Sequence, residues 1–227
     1  MEYLEQQKLD ALAEFAAGAG HEINNPLAII GGRSQLLLRE IEHPEHRRQL
    51  GIIIAQVKRA YEMIADIRFF ARPPQAESIK FNLIEELQTL VNEQTPLMSE
   101  SEITFHTDID TTDDPMVETD PVLLHVAAGI LCNNAREAVQ LTKGNVWLRL
   151  RRKNNVWEII VEDDGSGISE ETRPLIFDPY YSGREAGRGL GFGLPKAWRI
   201  MQLLGGSIRY EPYERQRNAF VLTFADR

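Results

Sequence analysis

The sequence has few of the features that mark several large classes of protein. Its 227 residues contain one cysteine, Cys132, which excludes a disulfide framework and a cluster of thiolate metal ligands. It has no apolar run of about 18 residues and no signal-peptide pattern, so we expect a chain that neither spans a membrane nor is exported. No internal repeat or low-complexity tract is visible. A reducing, cytoplasmic setting fits these absences.

The charge balance is acidic. The formal net charge of -9 argues against a nucleic-acid surface, although it leaves room for a local basic patch. Apolar residues make up 43% of the chain and charged residues 26%, which is typical of a globular protein. This length allows one large domain or two modest ones.

Residues 1–72 carry the apolar periodicity of two helices, interrupted around Pro44. The first seam comprises Leu9, Leu12, Ala16, Ala19, Ile23, Leu27, Ile30, Ser34, Leu37 and Ile41. The second comprises Leu50, Ile53, Val57, Ala60, Ile64, Ile67 and Phe70. A lone helical pair cannot bury both seams, so the pattern favours a homodimeric four-helix bundle. The alternative is that the hairpin packs on the downstream domain.

A proline-rich linker at 73–77 is expected to separate this hairpin from a mixed domain at 78–227. Helices are predicted at 83–99, 121–141 and 194–204, the second of them capped by Asp120. Strands are predicted at 103–109, 146–150, 157–162, 207–210 and 219–224. Phe81 starts either a further strand or a helix. These elements predict an α+β sandwich, with one mixed sheet covered by helices on a single face.

Residues 20–27 (GHEINNPL) stand out within the first helix. His21 is two residues from both Ala19 and Ile23, so it should point away from the seam into solvent. Asn25 shares its face at i+4, and Pro26 should kink or loosen this turn. A neutral imidazole beside a carboxylate suits nucleophilic chemistry, whereas a solvated surface histidine is the ordinary alternative.

Three segments of the second domain carry nucleotide-binding chemistry. Residues 131–138 (LCNNAREA) offer side-chain amide oxygens to Mg²⁺, although such pairs are also common on polar helix surfaces. Residues 163–168 (DDGSGI) place an acceptor and glycines after an apolar strand, as an ordinary turn would also do. Residues 187–194 (GRGLGFGL) expose backbone N–H groups before a helix, with a flexible linker as the alternative.

The stretch from His21 to Pro26 resembles the H-box of sensor histidine kinases. The three later segments, in this order, resemble the N, G1 and G2 boxes of the GHKL ATP-binding fold. Residues 176–182 are similar to the F-box of that family and 204–208 to its closing strand. The resemblance covers nearly the whole chain. It implies a transmitter core: a dimerisation and phosphotransfer hairpin followed by a catalytic ATP-binding domain of the GHKL type.

The resemblance also implies the roles of individual residues. His21 would attack the γ-phosphorus of ATP, Glu22 would accept or orient its proton, and Asn25 would align water in a phosphatase reaction. The implied nucleotide ligands are Asn134 for Mg²⁺, Asp163 for the adenine amine, Gly165 and Gly167 for the base pocket, Gly189, Gly191 and Gly193 for the phosphates, and Arg184 for the γ-phosphate. The phosphoryl group would pass to an aspartate of a response-regulator receiver domain. ATP and Mg²⁺ are therefore the expected cofactors.

One position departs from the family pattern. Four residues before Asn134, where kinases usually carry another Asn and hydrolysing relatives a Glu, this chain has Ile130. Asn133 and Glu137 are candidates to compensate. A pseudokinase or scaffold dimer with a degenerate pocket is one alternative. A true ATPase is a second one, which the missing Glu disfavours. The start of the chain fits a transmitter core that works without a sensor domain or belongs to a longer sensor protein.

Overall fold

The computed structural model describes residues 2–109, 115–178, 181, 191–213 and 217–225, and gives the backbone alone for residues 2–17, 19, 21 and 213. The chain divides into two compact units, Met1–Pro74 and Gln75–Arg227. The first is helical and the second combines helices with strands. None of the helices in the described part of the chain is long and apolar enough to cross a membrane.

The first unit is the helical hairpin that the apolar periodicity predicts. Helix α1 spans Glu2–Glu40 and helix α2 spans Pro44–Ala71, and α1 continues through Pro26. Gly31 of α1 lies against Val57 of α2, and a Cβ added to this glycine would lie 3.2 Å from Val57 Cγ1. The two helices therefore approach closely where α1 lacks a side chain.

Arg47 braces the connection between the two helices. Its Nη1 donates to the carbonyl of Leu38 at 2.6 Å and to that of Ile41 at 3.0 Å. The last carbonyls of a helix have no partner within the helix itself. The first turn of α2 therefore satisfies acceptors that the end of α1 leaves open.

The second unit is built on a five-stranded mixed sheet in the order β2-β4-β5-β7-β6. Its strands are β2 Thr104–Asp108, β4 Asn145–Lys153, β5 Val156–Asp163, β6 Ser207–Tyr213 and β7 Arg217–Ala225. Strand β2 pairs with β4 in parallel, and the other neighbours are antiparallel. A smaller antiparallel sheet joins β1 Ile79–Asn82 to β3 Met116–Thr119.

The described part of this unit contains three α-helices: α3 Leu83–Glu100, α4 Pro121–Val139 and α5 Gly193–Leu203. Asn82 caps α3 by accepting from the N–H groups of Ile84 and Glu85, and Asp120 caps α4 by accepting from that of Leu123. Helix α4 packs between α3 and α5 and against β4 and β5. The strand face beneath the helices is apolar and buried: Val146, Leu148, Leu150, Trp157, Ile159, Val161, Phe220, Leu222 and Phe224. The predicted α+β class is confirmed.

The sequence prediction of a single sheet was incomplete. Strand β3 was not predicted, because its four residues are too few to display a clear alternation of polar and apolar side chains. Phe81 lies in β1 and not at the start of a helix. The turn predicted between β4 and β5 is present, with positive φ at Asn154 (50°) and Asn155 (59°). Asparagine is one of the few residues other than glycine that tolerate this conformation.

Cys132 lies on α4 and is fully buried. Burial raises the pKa of its thiol to about 12. The thiolate form that reacts with disulfides or binds metals is therefore suppressed.

A histidine held between two carboxylates joins α3 to α4. His125 Nδ1 lies 2.6 Å from Glu86 Oε1, and His125 Nε2 lies 2.9 Å from Glu93 Oε2. Burial lowers the pKa of His125, but the hydrogen bonds to Glu93 and Glu86 and their charges outweigh it and raise the pKa above its usual value. Both ring nitrogens can donate only when the imidazole is protonated.

We expect this contact to make the stability of the second unit depend on pH. Because the folded pKa is raised, the stabilisation is complete below the unfolded pKa of about 6.5 and is lost as pH rises through the folded value. The three tryptophans, Trp147, Trp157 and Trp198, all lie in this unit, so their fluorescence reports its unfolding. As the pH rises from about 6 to about 9, the midpoint of thermal unfolding should fall further in the wild type than in His125→Gln. Identical pH dependence in the two proteins would contradict this assignment.

Candidate functional site

The predicted phospho-acceptor stretch lies in the middle of α1, in the first unit. Gly20 is buried, and a Cβ added to it would lie 3.0 Å from Ile64 Cγ2 of α2. Glu22, Asn25 and Pro26 are exposed. The backbone of His21 is helical, whereas its side chain lies outside the described part of the chain, so the outward orientation of this ring stays a prediction.

Tyr61 was not singled out from the sequence. Its hydroxyl on α2 donates to the backbone carbonyl of Asn24 on α1 at 3.1 Å. Together with the Gly20–Ile64 approach, this bond fastens the turn that carries His21 to the second helix on both sides of the histidine. Tyr61 does not belong to the apolar seam of α2, so the sequence pattern did not indicate its contact with α1.

The second group of predicted residues lies in the second unit, where α4 brings two of the motifs together. A Cβ added to Gly193, at the start of α5, would lie 3.5 Å from Ile130 Cγ2 and 3.9 Å from Asn134 Oδ1. A Cβ added to Gly165, after β5, would lie 2.9 Å from the carbonyl oxygen of Ala138. Asn134 and Ala138 are one helical turn apart. Both glycine segments therefore meet the same face of α4.

Asn134 has a polar atom without a partner. Its Nδ2 is buried, and no described residue hydrogen-bonds to it. Buried polar groups are nearly always hydrogen-bonded, so such an atom beside a glycine-rich segment fits a site for a polar ligand. Asn133, one residue earlier, accepts from Arg136 Nη2 at 3.5 Å on the same helix.

Asp163 ends β5 and is 3% exposed. Its Oδ1 accepts from the N–H of Gly165 at 2.9 Å and from Asn218 Nδ2 at 2.9 Å. Burial raises the pKa of this carboxyl, the two hydrogen bonds lower it, and the neighbouring charge of Asp164 raises it; the net direction is upward. Asn218 lies on β7 and was not predicted as a site residue.

The glycines of the site are only partly described. Gly167 and Gly191 have φ of 77° and 66°, values that favour glycine over other residues. Arg184 and Gly189 lie outside the described residues. In the F-box-like segment, Ile176 is buried, and residues 179, 180 and 182 again lie outside the described part.

A cavity of about 780 Å³ adjoins this end of the sheet. Its wall includes residues 165–168 with Tyr210, Asn218, Arg173 and Trp147. Trp147 is stacked on His106 with 5.1 Å between ring centroids, and the Arg217 guanidinium lies 3.8 Å from the centroid of the tryptophan ring. The loop after Asp163 is thus open to solvent on one side and packed on α4 on the other.

Two family models match the chain, one over nearly all of the first unit and the other within the second unit. Residues 11–76 match the family model of the His Kinase A (phospho-acceptor) domain. Residues 119–227 match that of the histidine kinase-, DNA gyrase B-, and HSP90-like ATPase. The two matches follow the order that the motifs predict.

Curated relatives match nearly all of this chain. The sensor protein kinase PilS of Pseudomonas aeruginosa is 32% identical over 97% of this chain and 42% of its own length. The signal transduction histidine-protein kinase AtoS of Escherichia coli is 29% identical over 89% of this chain and 33% of its own length. The chain therefore spans less than half the length of these relatives.

Solved structures agree with the fold. Full-length ShkA in complex with AMPPNP matches 94% of this chain and 46% of its own, with a TM-score of 0.78 at 20% identity. The histidine kinase ThkA in complex with the response regulator TrrA matches all of this chain and 66% of its own, with a TM-score of 0.69 at 23% identity. From the two family models and the shared fold, the chain belongs to the histidine kinases, as a transmitter core with a phospho-acceptor domain followed by a GHKL ATPase domain.

Proposed function

We propose that this chain is the kinase core of a two-component system, which phosphorylates itself on His21 with ATP and passes the phosphoryl group to a response regulator. The observation that carries the proposal is the meeting of three motifs on α4. Asn134 faces the glycine that starts α5, and Gly165 packs on Ala138 one turn later. Asp163 is buried beside them with one oxygen already hydrogen-bonded.

Each residue around α4 has a chemical task in this proposal. An ionised Asp163 would accept a hydrogen bond from the exocyclic amine of adenine, because a carboxylate is an acceptor only. Backbone N–H groups at the start of α5, with Gly189, Gly191 and Gly193, would receive the phosphates. Gly167 would line the base pocket, and Arg184 would neutralise charge on the γ-phosphate.

The side-chain amide of Asn134 is suited to hold Mg²⁺, which in nucleotide sites takes few protein ligands and is bound mainly by phosphate oxygens and water. Bound there, the ion would neutralise charge on the triphosphate. The amide nitrogen of Asn134, which has no partner among the described residues, is a donor and therefore suits a phosphate oxygen of the nucleotide and not the ion itself. Ile130 offers no ligand, so the local polar contacts would come from Asn134 and the nucleotide. Asn133 and Glu137 are the candidates to compensate.

At the phospho-acceptor turn, one ring nitrogen of His21 would attack the γ-phosphorus in line. The N–P bond forms while the bond from phosphorus to the bridging oxygen of ADP breaks. Glu22, which is exposed, would accept or orient the proton on the other ring nitrogen. Gly20 and Tyr61 would hold the backbone of this turn against α2 during the reaction.

The partner side of the proposal draws on relatives. ThkA was solved in complex with a response regulator, and LuxQ of Vibrio vulnificus is named a sensor kinase/phosphatase. We infer that the exposed face near His21 meets a receiver domain whose aspartate takes the phosphoryl group. Asn25, exposed one turn after His21, would orient water in a phosphatase reaction that hydrolyses the partner's aspartyl phosphate to aspartate and phosphate.

A homodimer through the hairpin is the third part of the proposal. Ile23, Ile30 and Leu37 follow one another at seven-residue spacing on α1 and are 46%, 47% and 46% exposed in the single chain. This heptad spacing is typical of a helix seam that packs on another helix. The exposed stripe supports a four-helix bundle made by two copies.

His21→Gln should abolish the acid-labile phosphorylation seen after incubation with radioactive Mg²⁺-ATP, because no nucleophilic imidazole remains at this turn. Nucleotide binding should persist, since the nucleotide residues lie in the other unit. His46→Gln, an exposed histidine of α2, serves as the control and should label like the wild type. Stable label in His21→Gln would overturn the role of His21.

Gly165→Ala should weaken ATP binding by about tenfold or more, as measured by calorimetry. A methyl group there would lie 2.8 Å from Asp163 Oδ1 and 2.9 Å from the Ala138 carbonyl, so the carboxylate or α4 must shift. Overpacking of this kind costs about 1–3 kcal/mol of stability. Gly129→Ala, whose added methyl would meet Leu90 at 3.7 Å, is the matched control on α4 and should bind ATP normally. Equal affinity of both variants for ATP would show that the loop after Asp163 is not part of the nucleotide site.

Ile30→Asp should convert the dimer to a monomer, because a charge buried in an apolar helix seam is strongly destabilising. Light scattering after size-exclusion chromatography measures the mass directly. Leu141→Asp is the control, because Leu141 is 90% exposed and belongs to the other unit. A dimer that survives Ile30→Asp would show that another surface joins the two copies.

A further inference from the structure

The two oxygens of Asp163 are in different situations. Oδ1 already accepts from the Gly165 N–H and from Asn218 Nδ2, both at 2.9 Å. No described residue donates to Oδ2. A carboxylate held in this way presents one fixed oxygen to a ligand and keeps the other for the protein.

Asn218 uses all of its hydrogen-bonding groups in holding that arrangement. Its Nδ2 donates to Asp163 Oδ1 at 2.9 Å and to the Gly165 carbonyl at 3.2 Å. Its Oδ1 accepts from the Tyr210 hydroxyl at 2.8 Å. The side chain is 8% exposed, so these bonds replace water almost completely.

Tyr210 determines which way the amide of Asn218 points. The Ile168 N–H donates to the Tyr210 hydroxyl at 3.3 Å, so the hydroxyl hydrogen is left to donate to Asn218 Oδ1. With its oxygen engaged, the amide must direct its NH₂ group at Asp163. The Tyr210 ring is itself packed on Phe220, with 5.1 Å between ring centroids. Donors therefore run in one direction, from Ile168 through Tyr210 and Asn218 to Asp163.

We propose that Asn218, oriented by Tyr210, is a positioning residue that gives this site its specificity for a 6-aminopurine. This inference rests on the proposed role of Asp163 as the acceptor for the adenine amine. Asn218 fixes the rotamer of Asp163 so that Oδ2 faces the base, and its donated hydrogen bond favours the ionised carboxylate in a buried place. A protonated or rotated Asp163 would accept the hydrogen bond from the 6-amino group less strongly and so would discriminate less between the two purines.

The test compares two nucleotides on the 227-residue chain. ATP and purine riboside triphosphate, which lacks the 6-amino group, are titrated calorimetrically into the wild type, Asn218→Ala and Tyr210→Phe. In the wild type, ATP should bind about tenfold more tightly than the analogue, because it adds a hydrogen bond to a charged group. In Asn218→Ala most of this preference should vanish through weaker ATP binding, with little change for the analogue. Tyr210→Phe, which keeps the ring, should show a smaller loss in the same direction.

Asn92→Ala is the matched control, because Asn92 is exposed on α3 and its side chain hydrogen-bonds only to Gln88 among the described residues. It should keep the wild-type preference. Tryptophan fluorescence establishes that each variant is folded under the conditions of the titration.

The other outcomes separate the inference from the proposed function. Unchanged preference in Asn218→Ala, or an equal loss of affinity for both nucleotides, would overturn the inference while leaving the nucleotide site in place. A wild type that binds neither nucleotide, or binds both equally, would overturn the proposed role of Asp163 and the inference with it.

Discussion

The packing of the loop after β5 on α4 is the constraint on which the catalytic unit depends. Gly165 lies so close to the Ala138 carbonyl that a side chain has no space there. This contact fixes where the sheet ends and places Asp163 over the helix that carries Asn134. One turn away, the same helix receives the start of α5. Two segments far apart in sequence therefore share one rigid support, and precise sites are more readily held on helices than on loops.

The two units contribute different physical properties. The hairpin carries an apolar stripe that remains exposed in the single chain, and its phospho-acceptor turn is fastened by one glycine contact and one tyrosine hydrogen bond. The sheet unit buries its apolar face completely beneath three helices. The hydrogen-bonded chain around Asp163 lies at one end of the sheet, where the loop after Asp163 meets β6 and β7. The first unit is thus suited to association with a second helix pair, and the second unit is suited to ligand recognition.

Most of the secondary structure could be predicted from local patterns, because helix periodicity and caps act within a few residues. Helix α3 was expected at 83–99 and spans Leu83–Glu100, and the turn at Asn154 is present as predicted. Strand β3 was not predicted because its four residues carry little periodic signal. Asp163 and Asn134 could be singled out as candidates from motifs, whereas Asn218 could not. Its partner Asp163 is 55 residues away in sequence, and nothing in a single polar residue of a strand indicates such a contact.

The order of the strands has a consequence for assembly. Strands β2 and β6 form the two edges of the five-stranded sheet, where unpaired backbone groups can recruit a strand from another molecule. Both edges carry residues that discourage such recruitment: Asp108 on β2, and Arg209, Glu211 and Pro212 on β6. Charged side chains and proline are the common protection of exposed strands. At high local concentration, as when two copies are tethered by their helices, the sheets are therefore protected from joining edge to edge into aggregates.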